Sequence, residues 1–133
     1  MILGIGTDCV GIARMDRLRN QYRERFLSRI FTPAEQQLCE QRRAGIAGCL
    51  AKRFAAKEAL VKALGTGMRD GIWFTDVEIL NDPAGAPVVT LCGGAADRLN
   101  TLAAAHHLTH TRIHLSLADE AEMALAYVIL EGY

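Results

Sequence analysis

The chain has 133 residues, half of them hydrophobic and 23% charged, with 15 Lys/Arg balanced by 15 Asp/Glu. This is the composition of one globular domain, spanning 1–133, with enough apolar material for a sizeable core. No apolar run is long enough to cross a bilayer, and the opening MILGIGTD is too short for a signal peptide and lacks its basic region. Cys9, Cys39, Cys49 and Cys92 show neither CxxC nor zinc spacing and read as reduced, structural thiols of a cytosolic protein. The zero net charge hides an asymmetry. Residues 1–70 carry 13 Lys/Arg against 7 Asp/Glu, and residues 71–133 carry 2 against 8. An excess of this kind points to an anionic partner for the first half, or to neutralisation of one half by the other.

In chain order, residues 2–7 (ILGIGT) read as a short buried strand with Asp8 at its end, a place where functional side chains and simple turn caps both occur. Residues 13–29 read as a helix. Arg14, Arg17, Arg19, Arg23, Arg25 and Arg29 face only Asp16 and Glu24, and Leu18, Tyr22 and Phe26 form an apolar seam beside the basic face. Thr32-Pro33-Ala34-Glu35 is a helix start of N-cap, first-turn proline and capping box, and that helix runs to about Arg43. Ala44-Gly45 breaks it. A third helix then runs from about Ile46 to a glycine stop at Gly65, with Leu50, Phe54 and Val61 on one stripe.

Each helical residue advances by about 100°, which puts Glu58 about 40° from Phe54, at the border of that stripe, with Lys62 one turn on. Glu58 is then either half of a solvated i,i+4 pair with Lys62 or a site carboxylate. Gly65-Thr66-Gly67 is either a flexible helix cap or a place where backbone N–H groups approach a phosphate. Residues 72–80 and 87–91 read as a hairpin around Asn81–Ala86, and 93–107 as a helix with Leu99, Leu102 and Ala103 inward. Residues 111–117 alternate, with Arg112, His114 and Ser116 on one face. Asp119-Glu120 is the expected turn, and residues 123–130 a central strand apolar on both faces. The histidines form no metal-ligand pattern, and His114 is either a plain strand-face residue or a ligand contact.

Asp8 and Glu58, with Arg53, Lys57 and Lys62 as cations, are the constellation that suits a hard divalent ion and phosphate groups. There is no Walker loop, no kinase signature and no nucleophile–histidine pair.

At this point the residues match a known family. The chain resembles the holo-acyl-carrier-protein synthases, small 4′-phosphopantetheinyl transferases. The resemblance spans nearly its whole length, through Gly4-Ile5-Gly6-Thr7-Asp8 with Arg14, Phe31-Thr32-Pro33-Ala34-Glu35, Arg53-Phe54-Ala55-Ala56-Lys57-Glu58-Ala59 with Lys62 and Gly65-Thr66-Gly67, and His114-Leu115-Ser116-Leu117.

It implies an α+β fold, a small antiparallel sheet packed on a long central helix. It also implies transfer of 4′-phosphopantetheine from coenzyme A to a serine of apo acyl carrier protein. By the resemblance, Asp8 and Glu58 would bind Mg²⁺, and Lys62 would stabilise phosphate charge. Arg53, Gly65, Thr66, Gly67 and His114 would hold the nucleotide end of coenzyme A, and Arg14, Arg25 and Arg29 would meet the carrier. The implied protein is a cytoplasmic homotrimer with active sites at subunit junctions, and neither nucleic acid nor membrane is a partner. The last motif departs from the family pattern, with Ala118 and Asp119 where a small hydroxyl residue and a histidine are usual, and Cys9 stands for a branched apolar residue as a core change. The alternatives are a non-catalytic coenzyme A- or carrier-binding module, which the altered last motif would suit, and an adaptor for acidic partners using only the arginine helix.

Overall fold

The computed structural model describes residues 1–42 and 45–133. The expected end of the second helix at Arg43 and the break at Ala44 lie outside the described residues. Among the described residues, five strands and four α-helices run in the order β1 (Ile2–Gly11), α1 (Ile12–Ile30), α2 (Pro33–Glu40), α3 (Ile46–Ala63), β2 (Val77–Asn81), β3 (Pro87–Leu91), α4 (Gly93–Ala104), β4 (Thr111–Glu120) and β5 (Met123–Gly132), with a 3₁₀ turn at Phe74–Asp76. The fold is α+β. One antiparallel sheet has the order β1-β5-β4, and β2 and β3 form a separate hairpin. As expected, β5 is the central strand.

Helix α3 lies across the inner face of the sheet because β1 lets it approach. A Cβ on Gly4 would stand 2.0 Å from the Ala63 carbonyl oxygen, and one on Gly6 would stand 1.8 Å from that of Ala59. Only a residue without a side chain fits at either position. The helix answers with small residues of its own: Ala51, Ala55, Ala56, Ala59 and Ala63 are all buried. Leu50, Leu60, Val61 and Leu64 fill the remaining space with Met15, Phe31, Ile79, Val128 and Leu130. The core thus surrounds α3 on most sides, rather than one stripe of it, and Phe54 is only half-buried, stacked on Phe74 with ring centroids 5.5 Å apart.

The Thr32 capping box is present, with the Thr32 hydroxyl accepting from the Glu35 N–H at 3.3 Å and Glu35 Oε1 accepting from the Thr32 N–H at 2.9 Å. Its glutamate does more than cap. Glu35 is fully buried, accepts from the Ile79 N–H at 2.9 Å through its other oxygen, and receives Lys57 Nζ at 2.7 Å. Lys57 also donates to the carbonyls of Phe74 and Val77. This buried, saturated ion pair ties α2, α3 and the start of β2 into one unit. Breaking one side of such a pair costs about 3–5 kcal/mol.

Several boundaries differ from those read in the sequence. Strand β1 continues to Gly11, so Asp8 sits within it, paired with Ala126. The backbone of α1 leaves helical angles at Arg23 (φ 45°, ψ −131°), which interrupts the Leu18–Tyr22–Phe26 seam and leaves Tyr22 exposed. Asp119 and Glu120 belong to β4, and the turn falls at Ala121-Glu122. Strand β5 is not buried on both faces: Ala124, Ala126, Val128 and Leu130 face α3, while Met123, Leu125 and Tyr127 are exposed. Cys9 also lies exposed on that outer face, opposite Leu125, and is not a core residue. Cys39 and Cys49 are joined by a disulfide between the end of α2 and the first turn of α3, in place of the reduced thiols expected. Their Cα atoms are 5.5 Å apart, the usual span of such a bridge.

Candidate active site

The close approach of α3 to β1 sets the site. Asp8 follows Gly4 and Gly6 on the inner face of β1, so it meets the next exposed turn of α3, which carries Glu58 and Lys62. Lys62 Nζ donates to Asp8 Oδ1 at 2.9 Å and to the Thr7 carbonyl at 3.0 Å. Of the two readings open for Glu58, the solvated pair with Lys62 gives way, since the lysine reaches Asp8 across the strand–helix contact. Glu58 is half-buried. Burial pushes its carboxyl above the ordinary carboxylate range, the neighbouring Asp8 pushes the same way, and Lys62 and Arg14 oppose them. Arg14 stands exposed in the first turn of α1. Two carboxylates, an exposed ammonium and a guanidinium therefore converge at the junction of β1, α1 and α3.

The donor set fits a hard divalent ion. Both acids offer oxygen ligands, and two carboxylates are the usual protein share of a magnesium site completed by phosphate oxygens. Among the described residues no cluster of three or more metal-ligating side chains occurs, which leaves the rest of a coordination shell to substrate and water.

The other expected site residues are scattered. Arg53 is a correction. It is buried to 1% exposure, and its guanidinium donates to the Ile79 and Cys49 carbonyls and to Asn81 Oδ1. Burial, with nearby Arg42, holds its pKa below the usual arginine value. Arg53 joins α3 to β2 and lies too deeply buried to reach a nucleotide. Lys57, counted among the site cations, is equally committed to Glu35.

Gly65-Thr66-Gly67 closes the C-terminus of α3. Gly65 and Gly67 adopt positive φ (78° and 69°), and their N–H groups donate back to the carbonyls of Lys62 and Val61. Arg98 Nε caps the Leu64 carbonyl at 3.0 Å. The Gly65 and Gly67 amides are thus spent on the helix end, whose dipole is negative. His114 lies on the outer face of the sheet, in register with Ile129 and Ile5, and pairs with Glu131 at 2.8 Å. Its hydrogen bond, more than its charge, draws the Glu131 pKa below the usual range. Within one chain His114 and the Asp8–Glu58 pair occupy opposite faces of the sheet. Arg25 and Arg29 are exposed beyond the break in α1. Asp119 forms an ion pair with Lys52 of α3 at 3.7 Å.

The partnership of Glu35 with Lys57 was not read from the sequence, although a capping-box acid and a lysine among the buried alanines of α3 were both visible. Nor was the pairing of Cys39 with Cys49, whose separation of 10 residues carried no signal by itself.

The family model described as the 4′-phosphopantetheinyl transferase superfamily matches residues 4–126. A holo-[acyl-carrier-protein] synthase of Magnetococcus marinus is 50% identical, covering 98% of this chain and 94% of the relative. The holo-[acyl-carrier-protein] synthase of Neisseria meningitidis superposes with a TM-score of 0.81 at 37% identity, covering 98% of this chain and 99% of the other. The Bacillus anthracis synthase, solved in complex with CoA (3′,5′-ADP), gives 0.80 at 31% identity, covering 100% and 99%. The chain belongs to the 4′-phosphopantetheinyl transferase superfamily, and the relatives it matches there are holo-[acyl-carrier-protein] synthases.

Proposed function

We propose that the whole chain, 1–133, acts as one phosphopantetheinyl transferase domain. It moves the 4′-phosphopantetheine group from coenzyme A to a serine of an apo acyl carrier protein and releases adenosine 3′,5′-bisphosphate. The observation that carries this reading is the convergence of Asp8, Glu58 and Lys62, with Arg14 beside them, at the mouth of the α3–β1 contact. Asp8 and Glu58 would hold Mg²⁺. When bound, the ion supplies charge neutralisation at the pyrophosphate.

The chain's own residues supply the rest. The Lys62 side chain is 54% exposed, so its ammonium is free to shift from Asp8 to a phosphate oxygen. There it would stabilise charge that builds on the bridging oxygen as the serine Oγ bonds to the β-phosphorus. Arg14 is placed to meet the same charge or an acid of the carrier. Arg25 and Arg29 extend that basic surface along α1, which suits an acidic carrier. The Gly65–Gly67 loop follows Lys62 at the end of α3 and would bound the site, with Thr66 as its polar side chain. The reaction belongs in the cytoplasm, and the Cys39–Cys49 bridge is the one feature at odds with that compartment's usual chemistry.

We further propose a homotrimer joined through the outer face of the sheet. Exposed Ile5, Met123, Leu125 and Tyr127 give that face an apolar surface that a lone chain leaves in water. His114 lies on the same face, so such packing would place it at the junction with a neighbouring copy.

The decisive measurement is intact-mass spectrometry of apo carriers incubated with the chain, coenzyme A and Mg²⁺. One phosphopantetheine adduct per carrier is expected. Absence of the adduct across several carriers would overturn the transferase and leave a binding module.

A further inference from the structure

The Cys39–Cys49 bridge has a groove beside it. Between α1, α2 and the start of α3 lies an open cavity of about 530 Å³, lined by Cys39 but not by Cys49. Both cysteines are otherwise sealed, at 0% and 1% exposure. The bridge is thus approached from the Cys39 side.

The rest of the lining describes what fits there. Arg19 and Arg23 stand with Glu24 and Glu40 around an apolar ground of Leu27 and Leu50. Arg19 Nε is buried with no hydrogen-bond partner among the described residues, and Asp16 lies 4.0 Å from it. Arg23, Glu24 and Glu40 form no ion pair among the described residues. Two cations and two anions, so loosely paired around a cavity of small-molecule size, complement a ligand that carries both charges. A polyanion would meet Glu24 and Glu40.

The helix ends set the direction of the chemistry. Cys49 is in the first turn of α3, where the dipole favours a thiolate, and Arg53 donates to its carbonyl at 3.3 Å. Cys39 is next to last in α2, at the negative end of that helix. Cys49 is the better leaving group, and Cys39, on the groove side, is the one to be attacked.

We propose that this groove admits a small zwitterionic peptide thiol, which opens the bridge by thiol–disulfide exchange at Cys39. The incoming thiolate bonds to Cys39 Sγ, the Cys39–Cys49 bond breaks, and Cys49 keeps the electron pair and takes a proton from water. A second molecule of the thiol attacks the mixed disulfide, frees Cys39 as a thiol and leaves in the oxidised, disulfide-linked form. The two electrons come from the two thiols. This is independent of the transferase reading, and it makes the bridge exchangeable in a compartment rich in such thiols.

Glutathione serves as the probe, with 2-mercaptoethanol as an uncharged thiol and coenzyme A as a polyanionic one. The full, bridged chain is mixed with each, quenched in acid and read by intact-mass spectrometry. Corrected for thiolate fraction, glutathione should open the bridge about tenfold faster than either other thiol. Peptide mapping should place the trapped glutathione on Cys39. Arg19→Gln should cut the glutathione rate about fivefold and leave the 2-mercaptoethanol rate within about twofold. Equal rates for glutathione and 2-mercaptoethanol, a faster reaction with coenzyme A, an adduct on Cys49, or a glutathione rate untouched by Arg19→Gln overturns the inference. A chain that holds no bridge even after treatment with oxidised glutathione overturns it as well.

Discussion

Glu58 is where local environment and chemistry meet most directly. Burial and the facing Asp8 both disfavour its charge, so its folded pKa lies above that of the unfolded chain. A group shifted in this direction favours the fold fully only below its unfolded pKa, and that contribution is lost as pH rises through the folded value. Without a divalent ion, Glu58→Gln should therefore raise the Tm at pH 7–8, and the gain should vanish towards pH 4. The same variant should lose transfer by a factor of about 10² or more, the scale of removing one electrostatic group from such a site. Mg²⁺ should raise the Tm of the unsubstituted chain and not that of the variant. Thermal melts across pH with and without Mg²⁺ check all three. A variant less stable at pH 7 would show that Glu58 is satisfied within the fold and does not await a cation. Arg53 and Lys57 are a contrast at the same scale. In a linear reading they belong with Glu58 and Lys62 as cations of one motif. What separates them is the direction in which each side chain leaves the helix: two end in the core on carbonyls, Asn81 and Glu35, and two end at the surface.

Elements contribute through how closely they approach. The sheet–helix contact depends on Gly4 and Gly6, and Gly6→Ala would drive a methyl into the Ala59 carbonyl at 1.8 Å. Overpacking of a core costs about 1–3 kcal/mol and occasionally more. Because the clash is with backbone, which cannot rotate away, a loss of about 3 kcal/mol is expected in urea unfolding. Transfer should fall with it, since the Asp8–Glu58 spacing depends on the same contact. The second element-scale feature is the bridge from Cys39 to Cys49. A disulfide closing so short a loop stabilises by about 2–3 kcal/mol. Reduction should lower the unfolding free energy by that amount in the unsubstituted chain. The double variant Cys39→Ala/Cys49→Ala should not respond to reductant. Equal stability with and without reductant would show that the two thiols merely lie close together. Helix α1 shows the limit of periodicity. Its arginines and apolar residues read as one continuous helix, but the break at Arg23 re-aims its second half, so Arg14 and Arg25 do not share a face by simple count.

The whole molecule leaves its most apolar surface uncovered. Ile5 is 53% exposed, Tyr127 48% and Leu125 39%, all on the side of the sheet away from α3. Sedimentation should give a mass three times that of the chain. Tyr127→Glu, a charge at the centre of that face, should yield monomers that keep their secondary structure and lose transfer. A trimer surviving the charge would place the contact elsewhere. The reading that His114 serves a neighbouring copy's site predicts that such a monomer is inactive even with its Asp8 and Glu58 carboxylates intact.

Much of this protein was legible in its residues alone. Short-range chemistry announces itself in short stretches: the proline and capping box at Thr32–Glu35, the glycine stop after α3, the hairpin around Asn81–Ala86, and the alternation of β4 all lie where the sequence puts them. Asp8, Glu58 and Lys62 were also named from sequence, mainly because their motifs resemble a family and only partly because helical spacing favours them. Tertiary structure decided which cations are free. Burial of Arg53 and Lys57 depends on Ile79, Asn81 and Glu35, partners 22 to 28 residues away that no local pattern contains. It decided the Cys39–Cys49 bridge, which needs two helix ends brought together. It also decided that β5 is bare on one side, because an apolar strand reads the same whether its second face meets a helix, another chain or water.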